Sequence, residues 1–232
     1  EKKIRCLASE CPPAVLINNL DNQTPLHSLL EHRPGVGLVR HIVECGEDAC
    51  SAISSSSPSS SLVAAWTKRR LSLTPPVERK DGENQLPLHV AIERYADADV
   101  ISYLLCRYPK GKAVKGPSGY LPLHSAAMWG CVERVLRELI RGDNGAKLIE
   151  EVNDLGQTPL HVVFNPDEAD PNNARRFAEK WYENKNSGDR EDHTNTALDG
   201  DATIDGPPPN LLSPMEIFEI IVSRYYTYLR TP

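Results

Sequence analysis

Apolar residues along the stretch DADVISYLLCRYPKGKAVKGPSGYLPLH fall at Val100, Ile101, Leu104, Leu105 and Tyr108, the spacing of one helical face, before a Pro-Gly break and a turn. The same face returns in EIFEIIVSRYY, where Arg224-Tyr225 overlays Arg107-Tyr108. Between such helices the chain spells Pro-Leu-His four times, at Pro25, Pro87, Pro122 and Pro159, and the prolines lie 62, 35 and 37 residues apart. Two of those intervals are periods of helical repeats. Each unit therefore reads as helix, turn, helix and hairpin loop. The N-terminus repeats the end of a unit, since Pro12 precedes Pro25 by thirteen residues as Pro109 precedes Pro122.

These periods give a half-repeat at 1–18, repeat 1 at 19–51, an insertion at 52–79, repeat 2 at 80–114 and repeat 3 at 115–152. Repeat 4 comprises 153–164 and 214–232, interrupted by a second insertion at 165–213. The first insertion carries a serine tract, Ser54–Ser57 and Ser59–Ser61, too polar to bury much apolar area. Within the second, Asn172 or Asn173 is placed to cap a short helix with Phe177 and Trp181 on one face.

The repeated motif has its own local logic. Thr24 and Thr158 are placed to cap a helix, and the proline that follows occupies the first helical position, where a missing N–H costs nothing. Leu86 and Leu121 stand at the same position and cannot cap, so repeats 2 and 3 are expected to forgo about 0.5–2 kcal/mol each, offset by apolar contacts. Asn22, Asn84 and the glycines at equivalent loop positions tolerate the positive φ of a tight turn.

T-P-L-H followed by small residues and a glycine, with a D/N-x-x-G lead-in as in NDLGQTPLH, resembles the ankyrin repeat, and GYLPLHSAAMWG is the fullest copy. The resemblance covers the chain outside the two insertions. It implies an all-α, ankyrin-like solenoid with hairpin loops, in which loop tips and first helices form a concave surface that binds a partner protein. The chain departs from the family pattern at Leu86 and Leu121, at Asn22 and Asn84, and at Tyr95, which stands where a glycine is expected after the first helix.

Composition narrows the function. The net charge of −6 is concentrated in 165–213, which holds eleven acidic and five basic side chains, and no basic stripe suited to nucleic acid is present. No apolar run approaches the roughly 20 residues of a membrane span. Six scattered cysteines suit reduced thiols in a cytoplasmic or nuclear protein better than a disulfide framework, and the C-x4-C pairs Cys6/Cys11 and Cys45/Cys50 do not match zinc spacing. Asn22-Gln23-Thr24 is a glycosylation sequon with no signal peptide to make it relevant. The chain starts at Glu1 without a methionine and is expected to be a piece of a longer protein, acting as a monomer.

Candidate chemistry is sparse. Equivalent histidines of stacked repeats lie about 8–10 Å apart, too far to share an ion, so His27, His89, His124 and His161 are expected to hydrogen-bond their own and adjacent loops. No metal, cofactor or catalytic constellation is expected, and the chain is not expected to be an enzyme. DGDATIDG lacks the glycine and glutamate of a calcium loop. Arg69-Arg70-Leu71-Ser72 resembles a basophilic kinase site and makes Ser72 a candidate phosphorylation site.

The resemblance places the partner-binding positions. They are Tyr120, Met128 and Trp129 in repeat 3, Gln85, Glu93 and Arg94 in repeat 2, and Gln23, Glu31 and His32 in repeat 1. The aromatic and methionine residues form an interface core with a polar rim. An alternative has Phe177 and Trp181 folding back over Trp129. A second functional reading makes the array an accessory that docks onto, or positions, an unseen catalytic or membrane domain of the same chain.

Overall fold

A computed structural model describes residues 1–55, 74–164 and 210–230. Ser72, the 165–209 segment with Phe177 and Trp181, and the DGDATIDG loop lie outside the described residues. What is described is helical: α1 (Lys2–Glu10), α2 (Pro25–Leu30), α3 (Val36–Ser55), α4 (Pro87–Glu93), α5 (Ala98–Arg107), α6 (Pro122–Trp129), α7 (Glu133–Leu139), α8 (Gly142–Lys147), α9 (Pro159–Phe164) and α10 (Pro214–Arg230).

The short helices α2, α4, α6 and α9 all begin at the proline of the repeated motif. The residue before that proline is extended in Thr24, Leu86 and Leu121, with ψ of 161°, 158° and 160°, as steric conflict with the proline ring requires. Leu86 and Leu121 are both buried, so the apolar contact expected in place of a cap is present. The last helix, α10, starts from a reciprocal cap: the Ser213 N–H donates to Glu216 Oε2 at 2.7 Å, and the Glu216 N–H donates to Ser213 Oγ at 3.3 Å.

Packing follows sequence order in two rows. The short helices touch in the order α2, α4, α6, α9, while α3, α5, α7 and α10 form the second row, with α1 packed on α3. Between the rows sits the core, including Leu26, Leu30, Val39, Val43, Ala91, Val100, Leu123, Ala126, Leu136, Val162, Ile217 and Ile221. Helix α1 packs beside α3, at the end of the second row. The turns that follow repeat one another: Cys11 has φ −137° and ψ 71°, Tyr108 has −135° and 76°, and each leads into a five-residue 3-10 turn, Pro12–Leu16 and Pro109–Ala113.

The edges of both insertions differ from expectation. Helix α3 continues to Ser55, past residue 51, because its apolar face still has something to cover. That cover is the 74–79 segment, where Pro76 and Val77 are buried and the Pro76 ring leaves no room for a Cβ at Gly46. Arg79, the last residue of the expected insertion, is only 5% exposed; its guanidinium donates to the Leu16 carbonyl at 2.6 Å and the Thr74 carbonyl at 2.9 Å. At the other insertion, the Leu212 N–H donates to the Cys131 carbonyl at 3.0 Å, so the chain before α10 is docked between α6 and α7. Among the described residues no helix is long and apolar enough to cross a membrane.

Candidate interaction surface

Four loops introduce the short helices, and each closes in the same way. The N–H of its first residue donates to the C=O of its fifth, from Asn19 to Gln23, Asp81 to Gln85, Gly116 to Tyr120 and Asn153 to Gln157, at 2.9, 3.0, 2.7 and 3.0 Å. In three loops the side chain of that first residue also accepts from the fifth residue's N–H, at 2.8 Å in each. The fourth residue is left-handed throughout, at Asn22, Asn84, Gly119 and Gly156, with φ from 59° to 74°. Gly116 cannot offer the side-chain anchor. Its Cβ would come within 3.0 Å of His89 Nε2.

Histidines join the loops into a register. In every copy Nδ1 accepts the N–H of the residue before the motif's proline, at 3.2 Å from Thr24, Leu86, Leu121 and Thr158. A backbone donor is thus satisfied even where leucine has replaced threonine. Nε2 faces a carbonyl of the next loop: His27 to Gln85 at 3.2 Å, His89 to Tyr120 at 3.3 Å and His124 to Gln157 at 3.0 Å. The geometry assigns the proton to Nε2 and leaves Nδ1 as acceptor. Burial pushes His89 and His124 down to about 4 and lowers His27 as well, since a charged ring would turn a second donor toward a backbone N–H. His161 keeps only its own turn. It is exposed, and among the described residues no next loop supplies it a carbonyl.

Further bonds tie neighbouring loops. Gly82 N–H donates to Asp21 O at 2.8 Å and Asp154 N–H to Ser118 O at 3.0 Å. The Lys80 and Lys115 ammonium groups donate to Lys115 O and Val152 O at 2.7 and 2.8 Å.

The proposed binding positions divide by exposure. Glu31, His32 and Arg94 are exposed, while Gln23, Gln85, Glu93, Met128 and Trp129 are half-buried. Tyr120 is corrected by the structure. It is 6% exposed, its ring edge-on to His124 at 5.6 Å, and so belongs to the core beneath the loop rather than to a free surface. The polar members pair with each other: Gln23 donates to Glu31 at 3.3 Å, and Gln85 Nε2 donates to both Glu93 oxygens at 3.3 and 3.1 Å. Burial raises Glu93 to about 7, against the pull of the Gln85 hydrogen bond and the Arg94 charge. The Trp129 indole Nε1 is buried without an acceptor. Gly130 beside it lies near Leu211, whose Cδ1 would stand 3.8 Å from an added Cβ, so described chain from the end of the second insertion flanks this patch.

Sequence reasoning saw Tyr95 at the glycine position after the first helix but missed Arg33 there, and missed what both side chains contact. Arg33 and Tyr95 occupy the left-handed position that Gly130 fills in repeat 3, with φ of 48°, 53° and 79°. Each reaches into the next repeat, where Arg33 Nε donates to Arg94 O at 2.8 Å and Tyr95 OH to Trp129 O at 2.9 Å. The spacing from Arg33 to Tyr95 to Gly130 matches that of the prolines and was available as a signal. The Gln23/Glu31 and Gln85/Glu93 pairs likewise share one offset within their repeats. Among the described residues no group of three His, Cys, Asp or Glu side chains is arranged to hold a metal ion.

No protein-family model matches the chain, and a search of curated proteins finds no match either.

Proposed function

We propose that this chain is a protein-recognition scaffold, an ankyrin-like solenoid that presents its loops and the α2–α4–α6–α9 row to a partner protein and acts by binding rather than by catalysis. The observation that carries this reading is the histidine-to-carbonyl ladder. It holds the loops at fixed spacing without using the outward-facing side chains, and rigid presentation of variable side chains lowers the entropic cost of binding. Across that surface the chemistry is graded. Glu31, His32 and Arg94 form an exposed polar rim, and Met128 with Trp129 supplies the half-buried apolar end, the composition of an interface core and its margin. With Tyr120 in the core, the apolar contact rests on the other two.

Site-specific photocrosslinking tests the proposal. A photoreactive residue placed at Glu31 or Arg94 is expected to capture a partner protein from extract, and Trp129→Ala is expected to abolish that capture while leaving circular dichroism unchanged. The same probe at Glu44, exposed on α3, is expected to capture nothing. Capture from Glu44 alone would place recognition on the opposite row and overturn the reading.

A further inference from the structure

A second surface, on the α3–α5–α7–α10 row, carries its own chemistry and is independent of the loop surface. Between the end of α7 and α10 lies a cleft of about 540 Å³. Arg137 and Arg141, one turn apart, form one wall; Arg224, Ser223 and Thr227 come from the other, and Ile140 and Ile220 also line it. One carboxylate, Glu219, shares the lining.

The three guanidinium groups are incompletely satisfied. Arg137 is paired with Glu133 at 2.6 Å and Arg141 with Glu138 at 3.4 Å, both on the surface, with arginine side chains 62% and 76% exposed. Such exposed pairs contribute little and exchange readily. Arg224 makes a long 3.4 Å bond to the Ile140 carbonyl and has no carboxylate within ion-pair distance among the described residues. The neighbouring furrow between α5 and α7 shows the contrast. It is about 270 Å³, half the size, and it holds Glu138 along with Arg141 and Lys112.

We propose that the α7/α10 cleft binds a phosphorylated serine or threonine side chain of a partner peptide. A phosphate monoester carries about −1.5 to −2 charge and three acceptor oxygens, enough for three guanidinium forks from two walls, where a single carboxylate serves one or two. The volume exceeds what a phosphate fills and leaves room for flanking peptide against Ile140 and Ile220. A bilayer is the poorer occupant, because Glu219 in the lining and Glu133, paired with Arg137, repel an anionic membrane surface.

The test uses the full chain and fluorescein-labelled degenerate peptides centred on phosphoserine, with their unphosphorylated twins, read by fluorescence anisotropy. The phosphorylated pool is expected to bind at least about tenfold more tightly than its twin. Arg137→Ala/Arg141→Ala is expected to remove that preference while the melting midpoint stays unchanged, because both side chains are exposed. Arg224→Lys, which keeps the charge and a donor for Ile140 but loses the fork, is expected to weaken it. Equal binding of the two pools would overturn the proposal. So would a preference that survives the double substitution, or binding only to vesicles of phosphatidylcholine with phosphatidylserine. Loop-surface crosslinking is unaffected by these substitutions, so each proposal fails separately.

Discussion

The Tyr95 hydroxyl donates a 2.9 Å hydrogen bond to the carbonyl of Trp129 across the boundary between two repeats. Tyr95 sits in a left-handed conformation that favours glycine, and its hydroxyl bond is one that a glycine there could not make. Its side chain does for repeats 2 and 3 what Arg33 does for repeats 1 and 2, and the Arg33 guanidinium lies over the Tyr95 ring at 5.6 Å. Burial raises the phenol to about 12, so the hydroxyl remains a donor throughout the ordinary pH range.

Tyr95→Phe is therefore expected to lower stability by about 0.5–1.5 kcal/mol, the net value of one neutral hydrogen bond. Urea denaturation followed by circular dichroism measures it. An unchanged midpoint would show that the bond contributes nothing in solution.

His124 and His161 have the same sequence context and different surroundings. His124 is fully buried and bridges two backbone groups, whereas His161 is exposed. His124→Ala leaves the Leu121 N–H and Gln157 C=O without that partner and is expected to cost roughly 2–4 kcal/mol. His161→Ala is expected to cost less than about 1 kcal/mol. Equal losses in thermal melts would mean that position in the array does not set the histidine's role.

Acid should destabilise the fold in a defined window. His89 and His124 titrate at about 4 in the folded chain against an ordinary 6.5, so the unfolded state takes up protons first as pH falls. Each histidine then removes up to about 1.4 kcal/mol per pH unit between roughly 6.5 and 4. Glu93, raised to about 7, acts in the opposite sense from about 4.5 to 7, which leaves a net loss of about 1.4 kcal/mol per unit on acidification from these three groups, and His27, also lowered by burial, adds to it. Urea midpoints taken from pH 6.5 to 4.5 check this; a flat profile would contradict it.

Glu93→Gln isolates the carboxyl. A raised folded pKa means that stability is lost as pH rises through about 7, because the folded site must release a proton it holds better than the unfolded chain does. The amide variant is expected to gain stability over the parent, with a gain at pH 8 about 1–2 kcal/mol larger than at pH 5.5. Identical gains at both values would show that the carboxyl is not shifted.

Arg79 anchors the end of the first insertion. Arg79→Ala removes two charge-assisted hydrogen bonds to backbone carbonyls, that of buried Leu16 and that of exposed Thr74, and is expected to lower stability by about 2–3 kcal/mol. A change below about 0.5 kcal/mol would show that Arg79 anchors nothing.

The sequence alone determined the repeating elements, because their causes are local. Proline fixes where the short helices start at Pro25, Pro87, Pro122 and Pro159. Apolar periodicity from Val100 to Leu105 fixes which face of α5 is covered, and Asn22, Asn84, Gly119 and Gly156 supply the positive φ of each loop. The 62-, 35- and 37-residue spacing located every histidine of the ladder. What only the tertiary structure decided depends on neighbours distant along the chain. Tyr120 has the composition of an interface residue, yet packing beneath its loop, edge-on to His124, buries it. Arg79 ends a polar insertion, yet it is buried because the Leu16 carbonyl, distant along the chain, faces it. His161 spells the same motif as His124 and differs only in what lies beside it. Burial and hydrogen-bond satisfaction depend on which surfaces the folded chain brings together, and a local pattern does not encode that.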